Sequence, residues 1–216
     1  MFFWYSFFMR NREKETKQFF VALLLVLLGF VSSRFTSYMI DIYYPSRASA
    51  VDLIHEFLPY IQSLEIVADI GILVAFFLLI SYIRKAPEQI YKIMASFGVM
   101  YCVRAILNIA TPLGKPLGNE ISHGILKKYF HQAGMFPSGH TAFVFIVFFV
   151  IPPKYKTLRT LALLNGLIEV ISMDLSWGHW TIDIAGGIML AYCVYRFVEN
   201  YGEWFLRENV QLSIDQ

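Results

Sequence analysis

The stretch from Phe136 to Ile151 reads FPSGHTAFVFIVFFVI, and its two halves carry different messages. From Ala142 to Ile151 every residue is apolar, the composition of a helix surrounded by lipid or by other apolar helices. Directly before that run stand Ser138, Gly139, His140 and Thr141, polar and conformationally permissive residues at the point where the helix starts. The arrangement recurs 39 residues after His140, where His179, Trp180, Thr181, Ile182 and Asp183 open a second apolar run that extends to Val198. Working outward, further runs cover Phe19 to Ile40, Ile66 to Ile83, Ile90 to Ala110 and Leu158 to Leu175. With 57% hydrophobic residues in 216, the chain reads as an all-α polytopic membrane protein with six transmembrane helices. The fourth run is short. Its helix is expected to begin at Ser138 and either to continue past Pro152 and Pro153 or to be screened by its neighbours.

The formal net charge is +2, so no polybasic field points to nucleic acid, and the basic residues act through their placement. Arg10, Arg12, Lys14, Lys17, Arg84, Lys85, Lys92, Lys154, Lys156, Arg159, Arg196 and Arg207 fall on one side of the expected spans. Arg34, Arg47, Arg104, Lys115, Lys127 and Lys128 fall on the other. Twelve against six predicts cytoplasmic termini, and puts the Thr111–Pro137 loop and the turn at Ser176 on the periplasmic, extracellular or lumenal face. Both histidine blocks then meet on that face. Residues 1–18, rich in aromatics and then in Arg and Lys, read as an interfacial segment; 19–200 form the transmembrane domain, and 201–216 a cytoplasmic tail. Cys102 and Cys193 lie in apolar segments as packing residues.

Ser138 is a good helix N-cap, and the amides of the first turn, at Gly139 and His140, would point at an anion. Glycine at 139 lets a ligand approach the backbone closely. His179 and Asp183 are four residues apart, so on a helix they share a face and the carboxylate holds one imidazole nitrogen, leaving the other a better nucleophile. An ionisable group inside a span is costly, which favours functional roles for Asp183 and Arg104. The histidines and acids show no metal-ligand spacing beyond that pair, and the chemistry needs neither metal nor cofactor.

These blocks resemble the phosphatidic acid phosphatase type 2 superfamily of membrane phosphatases and phosphotransferases. Pro137 to His140 match the end of its second motif, and Ser172, His179 and Asp183 match its third. Met173 stands where the third motif has arginine, and the first motif's lysine and arginine have no counterpart. Those cations clamp a phosphate monoester's double charge, whereas a phosphodiester carries one. The local pattern His, Trp, Thr, Ile, Asp is more similar to the sphingomyelin synthase branch, as are Arg104 with Thr111 and Pro112, and the stretch Asp52 to Glu56. Pro137 is nearer the phosphatase pattern.

The resemblance implies a bundle of that family's type, with His179 as nucleophile, Asp183 orienting it, and His140 as acid and then base. A phospholipid donor would give its headgroup phosphate, through a phosphohistidine, to a lipid alcohol such as ceramide or diacylglycerol. In the alternative, a lipid phosphate or polyprenyl diphosphate phosphatase, water is the acceptor. Arg104, Ser138 and Gly139 are expected at the phosphate, and Glu120, His123 and His131 in the outer loop are further candidates. A cationic headgroup, of choline or ethanolamine type, seeks carboxylates or aromatic faces. Asp69 and Glu169 are the first candidates for it, with Glu65 beside them. A transporter would more often show paired internal repeats, and none is found.

Overall fold

The structure, a computed structural model, describes residues 2–116 and 134–206, with side chains described for 16–116 and 134–202. Among the described residues there are helices and no strands. The helices are α1 (Phe2–Tyr43), α2 (Leu53–Phe57), α3 (Leu64–Lys85), α4 (Ile90–Ala110), α5 (Gly139–Val150), α6 (Lys156–Leu175) and α7 (Thr181–Leu206). The first is continuous across the boundary expected near residue 18, and the last runs past Tyr201. Glu120, His123 and His131 lie outside the described residues.

Among the described residues, four helical segments are long and apolar enough to cross a membrane: Thr16–Tyr43, Leu64–Lys85, Pro87–Ala110 and Thr181–Gly202. Two of the six expected spans fall short of that standard for different reasons. At about 1.5 Å per residue, the 12 residues of α5 cover about 18 Å, against a hydrocarbon core of about 30 Å. The 20 residues of α6 carry Lys156, Arg159, Glu169 and Asp174. The short helix stops at Val150 and does not continue past the proline pair; it is enclosed, packing against α3, α4, α6 and α7. Val144, Ile146 and Val147 are fully buried there, which is why its sequence needs no polar face. At its C-terminal end Arg159 donates to the Ile151 carbonyl at 2.5 Å and lies over the Phe148 ring, closing the helix where carbonyls lack partners.

Outside this centre α1 packs along α4, in contact so close that a Cβ on Gly29 would lie 2.5 Å from the Gly98 carbonyl. The outer face of α1 presents Phe20, Leu24, Leu28, Val31 and Phe35, a surface suited to lipid. At the other side, Pro87 opens a single turn of 3₁₀ helix that reverses the chain between α3 and α4. One end of the bundle gathers the starts of α3, α5 and α7 and the ends of α4 and α6. Main-chain bonds join these termini directly: Ile61 N–H to Leu175 O at 2.8 Å, and Ser138 N–H to Asp183 O at 2.9 Å.

Candidate active site

Ser138 caps α5 as its residue type dictates: its Oγ accepts from the Thr141 amide at 3.3 Å and from the Thr141 hydroxyl at 3.0 Å. The preceding peptide, Phe136–Pro137, is cis. Two glycines of α7 allow the turn to lie against that helix. A Cβ at Gly187 would come within 2.8 Å of the Ser138 carbonyl, and one at Gly186 within 2.7 Å of the Phe136 ring. Backbone thus touches backbone, and His140, one residue into α5, is carried to the start of α7.

There the structure departs from expectation in one respect. His179 is not on a helix; it sits in the turn between α6 and α7, two residues before Thr181. Its pairing with Asp183 arises from capping instead. Asp183, in the first turn of α7, reaches back to accept the Trp180 amide at 3.1 Å, the return half of a capping box. The same Oδ2 lies 3.4 Å from His179 Nδ1, so Nε2 is the ring nitrogen left for chemistry. Asp183 is fully buried, and its other oxygen has no hydrogen-bond partner. Burial pushes the His179 imidazole below its ordinary value; the Asp183 carboxylate opposes this, and His140 and Arg104 reinforce it.

The two imidazoles come together: ring centroids are 6.4 Å apart with planes at 61°. His140 Nε2 lies 3.5 Å from Asp69 Oδ1 of α3, so each histidine has its own carboxylate. The side chains are 25% exposed for His140 and 10% for His179, which leaves His140 the more open of the two. Behind Asp69, on α6, Glu169 is 0% exposed, and neither of its oxygens has a hydrogen-bond partner. Its carboxyl lies against Gly71, where a Cβ would crowd it. Glu65 is buried one turn before Asp69.

Arg104 reaches the site, and its donors are spent on the loop that carries His140. Nε donates to the Pro137 carbonyl at 3.0 Å, Nη2 to the Gly134 carbonyl at 3.1 Å, and Nη1 to Ser33 Oγ at 3.3 Å. With its amide oriented to suit these neighbours, Asn108 donates to the Phe136 carbonyl and accepts from Arg104 Nη1 at 3.2 Å. The guanidinium lies within electrostatic range of both Asp183 and His179. It thus combines a structural grip on the loop with a positive field at His179. Gly134, at φ 95°, supplies a left-handed bend in this loop, against Asn108.

Sequence reasoning missed Asn108, Ser33 and the Gly186–Gly187 pair. The first had a signal, a polar residue inside a span and four positions after Arg104. The glycines had none, because a close approach between two helices is a property of the packing. Also unforeseen is the role of Asp52, whose Oδ1 accepts from the Ile54 amide at 3.1 Å and whose Oδ2 accepts from the Thr181 amide at 2.6 Å. One carboxylate therefore caps α2 and α7 together. Burial pushes the Asp52 carboxyl up, but the bonds from Thr181, the nearby His55 and the Ile54 amide outweigh it, and the net direction is down.

A scan of the chain against protein-family models finds no match, and a search among curated proteins finds none with significant similarity.

Proposed function

We propose that this protein is a membrane phosphotransferase that moves a phospholipid headgroup phosphate, of phosphocholine or phosphoethanolamine type, to a lipid alcohol such as ceramide or diacylglycerol. The observation that carries the reading is the approach of His140 and His179 to 6.4 Å between centroids, each beside its own carboxylate. In-line transfer needs a nucleophile about 3 Å from phosphorus and an acid about 2.8 Å from the leaving oxygen. One phosphorus atom fits that separation.

His179 Nε2 attacks phosphorus, and the bond from phosphorus to the glycerol oxygen breaks. His140 gives a proton to that oxygen, releasing diacylglycerol and leaving a phosphohistidine. The acceptor hydroxyl then loses its proton to His140 and attacks phosphorus; the nitrogen–phosphorus bond breaks and free His179 returns. Asp183 holds Nδ1 of the nucleophile, and Asp69 holds Nε2 of His140, leaving His140 Nδ1 to face the substrate oxygens. First-turn amides at Gly139 and His140 and the field of Arg104 act on the phosphate. Neither metal nor cofactor takes part. The bundle belongs in a bilayer with six spans, the enclosed α5 and the charged α6 being sheltered by their neighbours. Both termini are cytoplasmic and the site opens at the outer leaflet.

Purified protein incubated with a headgroup-labelled phospholipid, with and without ceramide or diacylglycerol, tests the reading. Label in the acceptor lipid is the expected result. Water-soluble labelled phosphocholine or phosphoethanolamine in its place would make water the acceptor, inorganic phosphate released from a phosphatidic acid or a polyprenyl diphosphate with no transfer would assign the protein to the lipid phosphatases, and full turnover by His179→Ala would end the mechanism.

A further inference from the structure

The chemistry leaves one described histidine unused, His55 of α2, and its surroundings are not those of a packing residue. It is 7% exposed, and neither ring nitrogen makes a hydrogen bond. Its ring stacks on Trp177, with centroids 5.3 Å apart and planes 8° from parallel, and on Trp180 at 5.9 Å and 22°. Nε2 stands 3.3 Å from Asp174 Oδ1 and 3.9 Å from Asp52 Oδ2. The imidazole thus meets both indoles through its face and the two carboxylates through its nitrogen edge.

The two tryptophans it touches bracket His179 in the chain. Trp177 has φ 49°, a backbone region that an L residue occupies only at a cost, so the surrounding contacts must hold it there. The bend at Trp177 brings both indoles onto one imidazole. The rest of the turn is fastened from the same quarter. Asp52 accepts from the Thr181 amide at 2.6 Å, Asp174 from the Thr181 hydroxyl at 2.9 Å, and Trp180 Nε1 donates to the Gly114 carbonyl at 2.8 Å.

We propose that His55 is a positioning residue for His179: by gripping Trp177 and Trp180 on either side of it, the imidazole fixes the turn in the pose that aims His179 at His140. Its kinetic consequence rests on the reading of His179 as nucleophile; its geometric consequence does not. The test therefore has two readouts. Carbethoxylation of His179 and His140 by diethyl pyrocarbonate is followed residue by residue by mass spectrometry, on the full chain in lipid nanodiscs, with Tm recorded alongside. Turnover with a headgroup-labelled phospholipid is measured on the same samples.

In His55→Ala, His179 should label about tenfold faster relative to His140, and kcat should fall about 100-fold with KM within about threefold, the scale of an ångström of misplacement. His55→Phe, which keeps a flat ring between the indoles, should restore most of both. An unchanged His179 rate, equal acceleration of both histidines with a fallen Tm, or no rescue by phenylalanine would each overturn the proposal. If His55→Ala does not fold, His55→Leu is judged by the same criteria. A wild-type protein that transfers no headgroup while the labelling contrast holds would keep the positioning role and remove the enzymatic reading.

Discussion

The main-chain amide of Ser138 donates to the main-chain carbonyl of Asp183 at 2.9 Å. That bond joins the two histidine blocks through their backbones, so chain geometry brings the two helix starts together before any side chain is placed. The rotamers, each held by a carboxylate, then set the 6.4 Å between the rings.

The contact depends on Gly187, where an added Cβ would meet the Ser138 carbonyl at 2.8 Å and the Thr141 Cβ at 3.0 Å. Both obstacles belong to a capped helix start and cannot step aside. Gly187→Ala is expected to destabilise the protein by about 1–3 kcal/mol. Thermal unfolding in detergent or nanodiscs measures this, and a stability equal to wild type would show that α5 and α7 are less tightly apposed than described.

Arg104 spreads its bonds over the Pro137 and Gly134 carbonyls and Ser33, which a single ammonium cannot reproduce. Arg104→Lys keeps the charge and loses the fork. A loss of about 1–3 kcal/mol in stability is expected, together with reduced turnover. Retention of both in the lysine variant would mean that charge alone matters at this position.

In the proposed mechanism the neutral imidazole of His179 is the nucleophile, and its value lies below the ordinary 6.5 because burial outweighs Asp183. Turnover should therefore hold down to pH below 6.5 and decline as pH falls through the His179 value. Asp183→Asn removes an influence that raises that value, so the acid limb should move to still lower pH. Without the carboxylate to orient the ring, kcat should fall about 100-fold. A pH–rate profile decides the matter, and an acid limb displaced upward in the asparagine variant would contradict the assignment.

Glu169 is a carboxyl with no hydrogen-bond partner on either oxygen and no solvent contact. A buried polar group in that condition costs about 1–3 kcal/mol. Glu169→Leu should raise Tm. An unchanged or lower Tm would point to an unseen compensation for the carboxyl at the α3–α6 contact.

Much of this was legible in the chain itself. The apolar runs announced a helical membrane protein, because a helix in hydrocarbon must be apolar along its length, and four of the six runs have boundaries close to those of α3, α4, α6 and α7. Ser138 as a cap and His179 with Asp183 as a pair were readable because both depend on neighbours within four residues. The identity of the carboxylate beside His140 was not readable. Asp69 and Glu169 looked alike as acids in spans, and only packing put one against the imidazole and the other out of reach behind it.

What the order of residues determined alone was local: helix starts, apolar faces, and which polar side chains stand at helix ends. What tertiary structure decided was which ends meet. The turn at His179 is held by Asp52, 129 residues earlier than Thr181, and the α5–α7 approach by the absence of a Cβ at Gly187. Such contacts have no periodicity and no fixed spacing, because they follow from how helices of unequal length pack around α5.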